Sequence, residues 1–547
     1  MPAEGMLKVT IDGKMVEVKP GTTVLQACEQ AAAPVPFYCY HPGLSIAGNC
    51  RICLVEIEKT PKLAIACYTQ AANGMVVHTQ NDRVKQGRQS VLEFLLVNHP
   101  LDCPVCDQAG ECWLQDYYME YGLYDPRFNE QKVKKPKRTA IGPHVMLDAE
   151  RCILCSRCVR FCDEVTKTGE LGIFQRGDHS EIGIYPGKEL TNAYSGNVVD
   201  ICPVGALTDR DFRFKCRVWY LGAAPSVCTG CSRGCNIEIH YNREREVRPH
   251  IADGDRVMRL KPRYNADVNK WWMCDEGRYS YKFIDHGRLT APQVRQNGKL
   301  VDVSWDDAVT EAASAMLPLW RQGQGSRVAV LASAQLTNED LFVVRKFFKE
   351  KLNAGLIDTP PTKPGSSDDI LIQTDKNPNT QGAQAMDLVS GDADSSPAMT
   401  VRQALLGQID VLYVFGWDLA ALLGASEAKR LAGTVKTIVF QGSNRNGTLD
   451  LAHVVLPSAT YAEKDGTFTN FEGRVQRIRQ AVTPLGESRG DWEIVQAVAQ
   501  RLGIEIAYDS SEAIFRALAA SVPAFGGMTY AVIGDQGVVL QQAAAVR

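Results

Sequence analysis

The chain has 547 residues, of which 45% are hydrophobic, so it can form several cores and has a length typical of roughly three to four domains. Its net charge of -3 gives no overall basic surface and therefore no support for nucleic-acid binding. No apolar run reaches the roughly 20 residues of a membrane-spanning helix, and the first residues lack a secretory pattern. We expect a cytoplasmic protein without a transmembrane segment of its own.

The elements predicted for the first part of the chain begin with a β-hairpin over residues 7–18, where apolar and polar residues alternate. A helix follows, with Cys28 at an apolar position that indicates core. A second helix, at about residues 82–97, has an apolar stripe that ends just before His99. The basic segment 131–143 is interpreted as a solvated linker rather than as a docking site for an acidic partner.

The second half of the chain alternates strands with helices. Apolar strand runs begin near residues 327, 409 and 434, and each precedes a helical pattern, which predicts a parallel α/β sheet. Residues 358–400 are rich in Pro, Gly, Ser and Asp and predict a long surface loop.

Cysteine is distributed unevenly. All 18 cysteines lie between Cys28 and Cys274. In a reducing compartment thiols stay available as thiolates, so this density indicates metal ligands rather than disulfides.

The first set of candidate ligands follows the predicted hairpin and helix. Gly48 and Asn49 allow the backbone to wrap closely before its second cysteine. Four thiolates on a loop-rich platform favour a [2Fe-2S] cluster, although the first gap exceeds the plant-type spacing and zinc is the alternative. The first set comprises Cys39, Cys50, Cys53 and Cys67.

The second set combines an imidazole with three thiolates in the segment NHPLDCPVCDQAGEC. Gly110 provides a flexible turn that can bring the last cysteine back toward the first two. Taken alone, this spacing fits structural zinc and an iron-sulfur cluster about equally well. The second set comprises His99, Cys103, Cys106 and Cys112.

The third set begins with three closely spaced cysteines in RCILCSRC. This spacing matches three corners of a [4Fe-4S] cube, whereas zinc usually takes two separated pairs. Cys162 extends the run to a pattern whose fourth cysteine serves a second cluster, but the chain has no second such run. We therefore predict Cys202 as the fourth ligand and Cys162 as a spare thiol or an alternative ligand. The third set comprises Cys152, Cys155, Cys158 and Cys202.

The fourth set has a similar layout, with three cysteines in VCTGCSRGC and a remote one in WWMCDEGR. Only Cys28, Cys162 and Cys216 then remain unassigned. Because the other sets favour iron-sulfur, a [4Fe-4S] cluster is also the simplest interpretation of the second set, where the neutral imidazole makes the site less negative. The fourth set comprises Cys228, Cys231, Cys235 and Cys274.

The four sets, in this order, resemble those of the large iron-sulfur subunit of respiratory NADH:quinone oxidoreductase, complex I, in its bacterial form. The resemblance extends over nearly the whole chain through HPLDCPVCDQAGEC, RCILCSRCVRFC, SGNVVDICPVGALT and RYNADVNKWWMCDEGR. It implies a multidomain α+β and α/β protein. The implied domains are a β-grasp [2Fe-2S] ferredoxin domain over residues 1–80, a His-Cys [4Fe-4S] segment over 81–142, a [4Fe-4S] ferredoxin-like domain over 143–220, and a non-catalytic molybdopterin-oxidoreductase-like domain, with a [4Fe-4S] site at its start, over 221–547.

The resemblance also implies a function. The chain would relay single electrons from a flavin-bearing, NADH-oxidising partner toward the quinone-reducing arm, as a peripheral subunit at the cytoplasmic side of the bacterial inner membrane. One [2Fe-2S] and three [4Fe-4S] clusters would be held by the four sets, with no molybdopterin, NAD or FMN and no catalytic residue on this chain. The fourth cluster is absent from mitochondrial members of the family, so it indicates a bacterial chain.

Two other functions are alternatives. The segment from Val454 to Gln476 resembles a part of molybdopterin enzymes near the pterin, but this half of the chain has no cysteine to hold a metal. A formate dehydrogenase would need such a ligand and a longer cofactor domain. The relay subunit of an NAD-linked hydrogenase or an electron-bifurcating complex shares the first three sets, but usually ends soon after them.

Overall fold

The computed structural model describes residues 5–243, 254–360, 364–389 and 398–541. The chain divides into two compact units, Met1–Tyr220 and Leu221–Arg547. None of the helices in the described ranges has the length and apolar character needed to cross a membrane.

The first unit begins with a mixed five-stranded sheet and one packed helix. The predicted hairpin is confirmed, because Leu7–Ile11 pairs antiparallel with Lys14–Val18. The helix Val24–Gln30 starts at Thr23, whose side chain accepts a hydrogen bond from the Gln26 N–H, and Cys28 is buried in the core as predicted. The strand order is Lys14–Val18, Leu7–Ile11, Met75–His78, Leu54–Ile57, Ala64–Ile65, with Leu7–Ile11 and Met75–His78 parallel.

The rest of the first unit consists of short elements around the cysteine loops. The predicted second helix is confirmed, and it ends three residues before His99. The helices are Asp82–Leu96, Trp113–Tyr121, Arg157–Glu164 and Asn197–Asp200, with single 3-10 turns at Cys103–Val105, Ala149–Arg151, Gly177–His179 and Val218–Tyr220. The strands are Thr139–Ala140, Val145–Leu147 and Leu207–Asp209 in one sheet, and Leu171–Phe174 with Glu181–Ile184 in a hairpin.

The basic segment 131–143 is not a freely solvated linker, so that interpretation is wrong for several of its lysines. The Lys132 ammonium donates to the backbone oxygens of Leu96 and Val97, both at 2.8 Å. Lys137 pairs with Glu150 at 2.9 Å. Cations at the end of a helix satisfy carbonyl groups that have no partner within it. The segment therefore fixes the helix end that precedes the second set.

The second unit is built on a seven-stranded sheet. Five adjacent strands of this sheet are mutually parallel, which confirms the predicted parallel sheet. The strand order is Lys299–Asp302, Gln293–Gln296, Val454–Pro457, Thr437–Gly442, Val411–Phe415, Val328–Leu331, Leu356–Asp358. Two three-stranded sheets contain Leu221–Val227, Asn236–Asn242 and Val257–Pro262, and Gly466–Thr469, Arg474–Ile478 and Val538–Val539.

Helices cover both faces of the large sheet and enclose two buried apolar clusters. The longer helices are Trp305–Arg321, Asn338–Val344, Ala398–Leu405, Ala425–Thr434, Asp491–Arg501 and Ser511–Ser521, and Asn338–Val344 continues as a π-helix over Arg345–Lys351. The short ones are Asp275–Arg278, Ser280–Ile284, Gly325–Arg327, Thr380–Ala385, Leu419–Leu423, Gly447–Asp450, Pro523–Phe525 and Tyr530–Ile533.

The predicted surface loop over residues 358–400 is wrong for much of its length. Leu371, Ile372 and Asn379 are buried, and Thr380–Ala385 is a helix. Residues 361–363 and 390–397 of the predicted loop lie outside the described residues. Composition indicated solvent exposure here because short polar residues dominate, but a few apolar side chains are sufficient to dock the segment.

A buried ion triad links three elements of the second unit. The Lys464 ammonium lies 2.7 Å from an Asp340 carboxylate oxygen and 2.6 Å from one of Asp491, and all three residues are buried. Removing one partner of a buried ion group leaves charge uncompensated in a medium of low dielectric.

We expect Lys464→Ala to destabilise the second unit by about 3–5 kcal/mol, because two carboxylates would remain buried without their cation. Lys436→Ala is the matched control, since the Lys436 side chain is 74% exposed and its pair with Asp410 is a surface contact. Chemical denaturation of the two variants and the parent measures the difference. Equal losses for both lysines would contradict this account.

Candidate iron-sulfur sites

The first set lies on the loops that flank the edge of the N-terminal sheet. Cys53 directly precedes the strand Leu54–Ile57, and Cys67 follows Ala64–Ile65. The Cys39 N–H donates to the Cys50 sulfur at 3.4 Å. Gly48 has a φ of +62°, which gives the backbone the close turn expected before Cys50.

The four thiols of the first set act on one another's ionisation. The Cys50 and Cys67 thiols lower the pKa of Cys39. Cys39 in turn raises the pKa of Cys50. Cys67 also lowers the pKa of Cys53, so the four thiols form one interacting group. One ionised thiol is therefore stabilised by its neighbours, and the thiolate is the form that binds metal.

The second set surrounds a small cavity next to the end of the helix Asp82–Leu96. Cys112 is the N-cap of the helix Trp113–Tyr121, and Gly110 has a φ of +90° at the predicted turn. Cys103 is exposed, so this site reaches the surface of the unit. The cavity is lined by His99, Cys103, Cys106 and Cys112 together with Arg151 and Gly205.

The His99 imidazole is uncharged at neutral pH and can therefore act as a neutral ligand. Burial, followed by the charges of Lys132 and Arg151, lowers the pKa of His99 to about 4. Its Nδ1 atom is buried and has no hydrogen-bond partner among the described residues. A neutral imidazole with an unpaired nitrogen beside three thiols is the donor set that a metal requires.

The third set lies around the start of the helix Arg157–Glu164. Leu154 and Ser156 have φ values of +55° and +61°, and these left-handed residues let three sulfurs of one loop turn to the same side. Cys202 follows the helix Asn197–Asp200 in the sequence, and its thiol donates a hydrogen bond to the Val204 oxygen at 3.1 Å. A small cavity is lined by Cys152, Cys155, Cys158 and Cys202.

Cys162 lies outside the cavity of the third set. It is buried one turn further along the same helix, and it does not line the cavity of the third set. Burial, followed by the charges of Glu170 and Asp163, raises the pKa of Cys162 to about 12. Cys162 is therefore a protonated core thiol at neutral pH.

The fourth set closes the ends of two strands in the second unit. Cys228 follows the strand Leu221–Val227, Cys235 precedes Asn236–Asn242, and the Cys228 N–H donates to the Cys235 oxygen at 2.8 Å. Cys274 is the N-cap of Asp275–Arg278. Their cavity, which is also small, is lined by Cys228, Cys231, Cys235, Cys274 and Leu371.

Burial opposes ionisation in the third and fourth sets. It raises the pKa of Cys152 to about 12 and the pKa values of Cys155 and Cys274 to about 11. Thiols of this kind lose their protons only when a cation replaces them, so binding of metal releases protons here.

Several residues at these sites carried no signal in the sequence. Gly205 has no room for a side chain, because a Cβ there would overlap the Cys106 sulfur. Leu371 belongs to the segment predicted as surface loop, yet it lines the fourth cavity. Arg157, between two ligand cysteines, is buried although charged residues are usually exposed. The one available clue was a glycine close to a ligand cysteine, as Gly205 is to Cys202.

Family models match both units. In the first unit they are the 2Fe-2S iron-sulfur cluster binding domain over residues 4–82, the NADH-ubiquinone oxidoreductase-G iron-sulfur binding region over 88–127, and the ferredoxin-like domain of NADH-quinone oxidoreductase subunit 3 over 142–208. In the second unit they are the Molybdopterin oxidoreductase Fe4S4 domain over 223–286 and Molybdopterin oxidoreductase over 288–385 and 371–501.

Relatives match nearly the full length. The NADH-quinone oxidoreductase G subunit of Rickettsia bellii (strain RML369-C) is 31% identical, over 96% of this chain and 90% of its own length. This chain belongs to the G-subunit family of NADH-quinone oxidoreductase. The mitochondrial NADH-ubiquinone oxidoreductase 78 kDa subunit of Neurospora crassa is 33% identical, over 93% of this chain and 82% of its own length. The family and the fold class predicted from the sequence are confirmed, and the chain is a subunit of an oxidoreductase.

One solved structure is similar in sequence to a smaller part of this chain. A chain from the crystal structure of an NAD+-reducing [NiFe]-hydrogenase in the H2-reduced state is 29% identical, over 39% of this chain and 91% of that chain, with a TM-score of 0.36.

The tight approach at Gly205 gives a test of the second site. We expect Gly205→Ala to remove most of the iron held by the second set, because the new methyl group would displace the Cys106 sulfur. Iron content and the paramagnetic signals of the reduced protein measure this. The matched control is Gly433→Ala, where a Cβ meets nothing within 4 Å. Full iron retention in Gly205→Ala would contradict the packing argument.

Proposed function

We propose that this chain relays single electrons within an NADH-quinone oxidoreductase, from a flavin-bearing NADH-oxidising subunit toward the quinone-reducing arm. The observation that carries the proposal is the convergence of each ligand set on one buried group of thiols or one thiol-lined cavity, in a member of the G-subunit family. Iron-sulfur clusters, when bound, accept and donate electrons one at a time. The residues of this chain hold them, exclude water and supply the surrounding charge.

We assign one cluster to each set, a [2Fe-2S] cluster to the first and [4Fe-4S] clusters to the other three. The second, third and fourth sets surround cavities. In a [4Fe-4S] cluster each ligand binds a different iron, so its ligands stand further apart than those of one zinc ion. A cavity between the ligands therefore favours a [4Fe-4S] cluster over zinc at these three sets. For the first set, where a [2Fe-2S] cluster would bind two ligands at each iron, the assignment is supported by four thiols on one loop-rich platform.

The described residues around the cavity at the large sheet of the second unit supply no thiol donor for a molybdopterin cofactor. A cavity of about 370 Å³ lies beyond the carboxyl ends of the parallel strands, beside Gly416, Trp417 and Gly442. It has no thiol among its lining residues, and its Lys464 is already neutralised by the carboxylates of the buried triad. We therefore propose that this unit carries no molybdenum chemistry and no bound flavin or nicotinamide.

The proposed partners are the flavin-bearing subunit and other subunits of the peripheral arm. We place the chain at the cytoplasmic side of the bacterial inner membrane, as the family to which it belongs suggests.

Elemental analysis of the anaerobically purified complex tests the relay and its ligands. The clusters assigned to this chain amount to about 14 irons, with negligible molybdenum. We expect Cys202→Ala to lose about four of these irons and the signal of the third site, while Cys162→Ala, the matched control, keeps both. Stoichiometric molybdenum would contradict the relay, and the reverse pattern in the two cysteine variants would overturn the ligand assignment.

Replacing the imidazole tests the second site. We expect His99→Cys to retain a cluster at a lower midpoint potential, because a charged thiolate would replace a neutral ligand. A redox titration followed by electron paramagnetic resonance measures the midpoint. An unchanged midpoint would contradict the role given to His99.

A further inference from the structure

Arg157 is a buried cation that touches residues next to three of the ligand sets. Its side chain is 2% exposed. One guanidinium nitrogen donates to the backbone oxygen of Tyr40, which follows Cys39, at 2.5 Å. The other terminal nitrogen donates to the oxygen of Ile201, which precedes Cys202, at 3.0 Å. The guanidinium thus spans the first and third sets.

The aromatic surroundings of Arg157 keep water away from its charge. The guanidinium carbon lies 4.6 Å from the ring centre of Trp113, the residue after Cys112, and 5.9 Å from that of Phe37. The Nε atom is buried without a hydrogen-bond partner. A cation in such a position acts strongly on neighbouring charges, because little solvent screens it.

Carboxylates do not pair with this charge in the part of the chain that the structure describes, where none of the Asp and Glu side chains lies within 4 Å of the Arg157 nitrogens. Burial lowers the pKa of Arg157, and the four charged groups with the largest opposing effect are candidate ligand cysteines. They are Cys155 and Cys202 of the third set, followed by Cys39 and Cys50 of the first. A guanidinium stays protonated in proteins, so Arg157 carries its charge beside both sets.

We propose that Arg157 is a buried counter-charge shared by the first and third sites and raises the midpoint potentials of both. A fixed cation makes the arrival of an electron at either site more favourable, since reduction adds negative charge nearby. The more exposed Arg160 also donates to the Cys39 and Cys155 oxygens, but Arg157 is the one held away from solvent. The inference rests on the proposed function, because it needs clusters at both sets.

The test compares Arg157→Gln with the parent in the assembled, metal-loaded complex. We expect both midpoints to shift to lower potential together in a redox titration followed by electron paramagnetic resonance. Arg88→Gln is the matched control. Arg88 is also fully buried, donates to Tyr121 and to the Leu54 oxygen, and stacks on the Tyr121 ring at 5.0 Å, but of the ligand cysteines only Cys53 appears among its charged neighbours. Its loss should leave the third midpoint unchanged.

The midpoints measured in these variants either support or overturn the role of Arg157. Retained clusters with unchanged midpoints in Arg157→Gln, or a shift at one site alone, would overturn the inference. An equal shift of the third midpoint in Arg88→Gln would reduce the effect to general loosening of the unit. If the glutamine variant does not retain iron, Arg157→Lys keeps the charge, and its midpoints should match the parent; a lowered midpoint there overturns the inference. Absence of iron from the parent would instead refute the proposed function.

Discussion

Thiolates are stable in a protein interior only when positive charge compensates them. Most of the candidate ligand cysteines in this chain are buried, and burial raises the pKa values of those in the third and fourth sets, so the bare sites would hold their protons at neutral pH. Metal binding would therefore complete these parts of the fold. The surrounding loops are arranged around cavities of similar size, with left-handed residues and close glycines where the backbone passes the sulfurs.

The three sets of the first unit share their supports. The Asn49 amide donates to the Leu154 oxygen at 3.2 Å, which ties the first set to the third. The Trp113 N–H donates to the Pro203 oxygen at 3.0 Å, which ties the second set to the third. Arg160 adds a bond to the Cys39 oxygen at 2.5 Å. Short links of this kind keep the distances between sites fixed, as an electron relay requires.

The second unit is stabilised in a different way. Its parallel sheet is stabilised by an apolar core and by the buried triad around Lys464, and neither depends on metal. The fourth set is added at the ends of two strands of a separate small sheet, and the segment that contains Leu371 closes its cavity. The geometry of the large sheet therefore does not require a cofactor, and a fold of this kind can serve more than one function.

The sequence by itself determined the grouping of the candidate ligands, the N-terminal hairpin, the helix before His99 and the parallel sheet. These features are local, since ligand spacing, turn residues and hydrophobic periodicity are all read within a few tens of residues. It also indicated the family, which the similarity to known relatives confirmed.

Only the tertiary structure decided which distant groups meet. Composition made residues 131–143 and 358–400 look solvated, but Lys132 reaches helix carbonyls and Leu371 reaches a cavity. The sequence predicted Cys202 as the fourth ligand of the third set but left Cys162 as an alternative. In the structure the helix turns Cys162 into the core, while a separate loop brings Cys202 to the cavity. The burial of Arg157 was equally hidden, because the free energy of a buried charge depends on every segment packed around it.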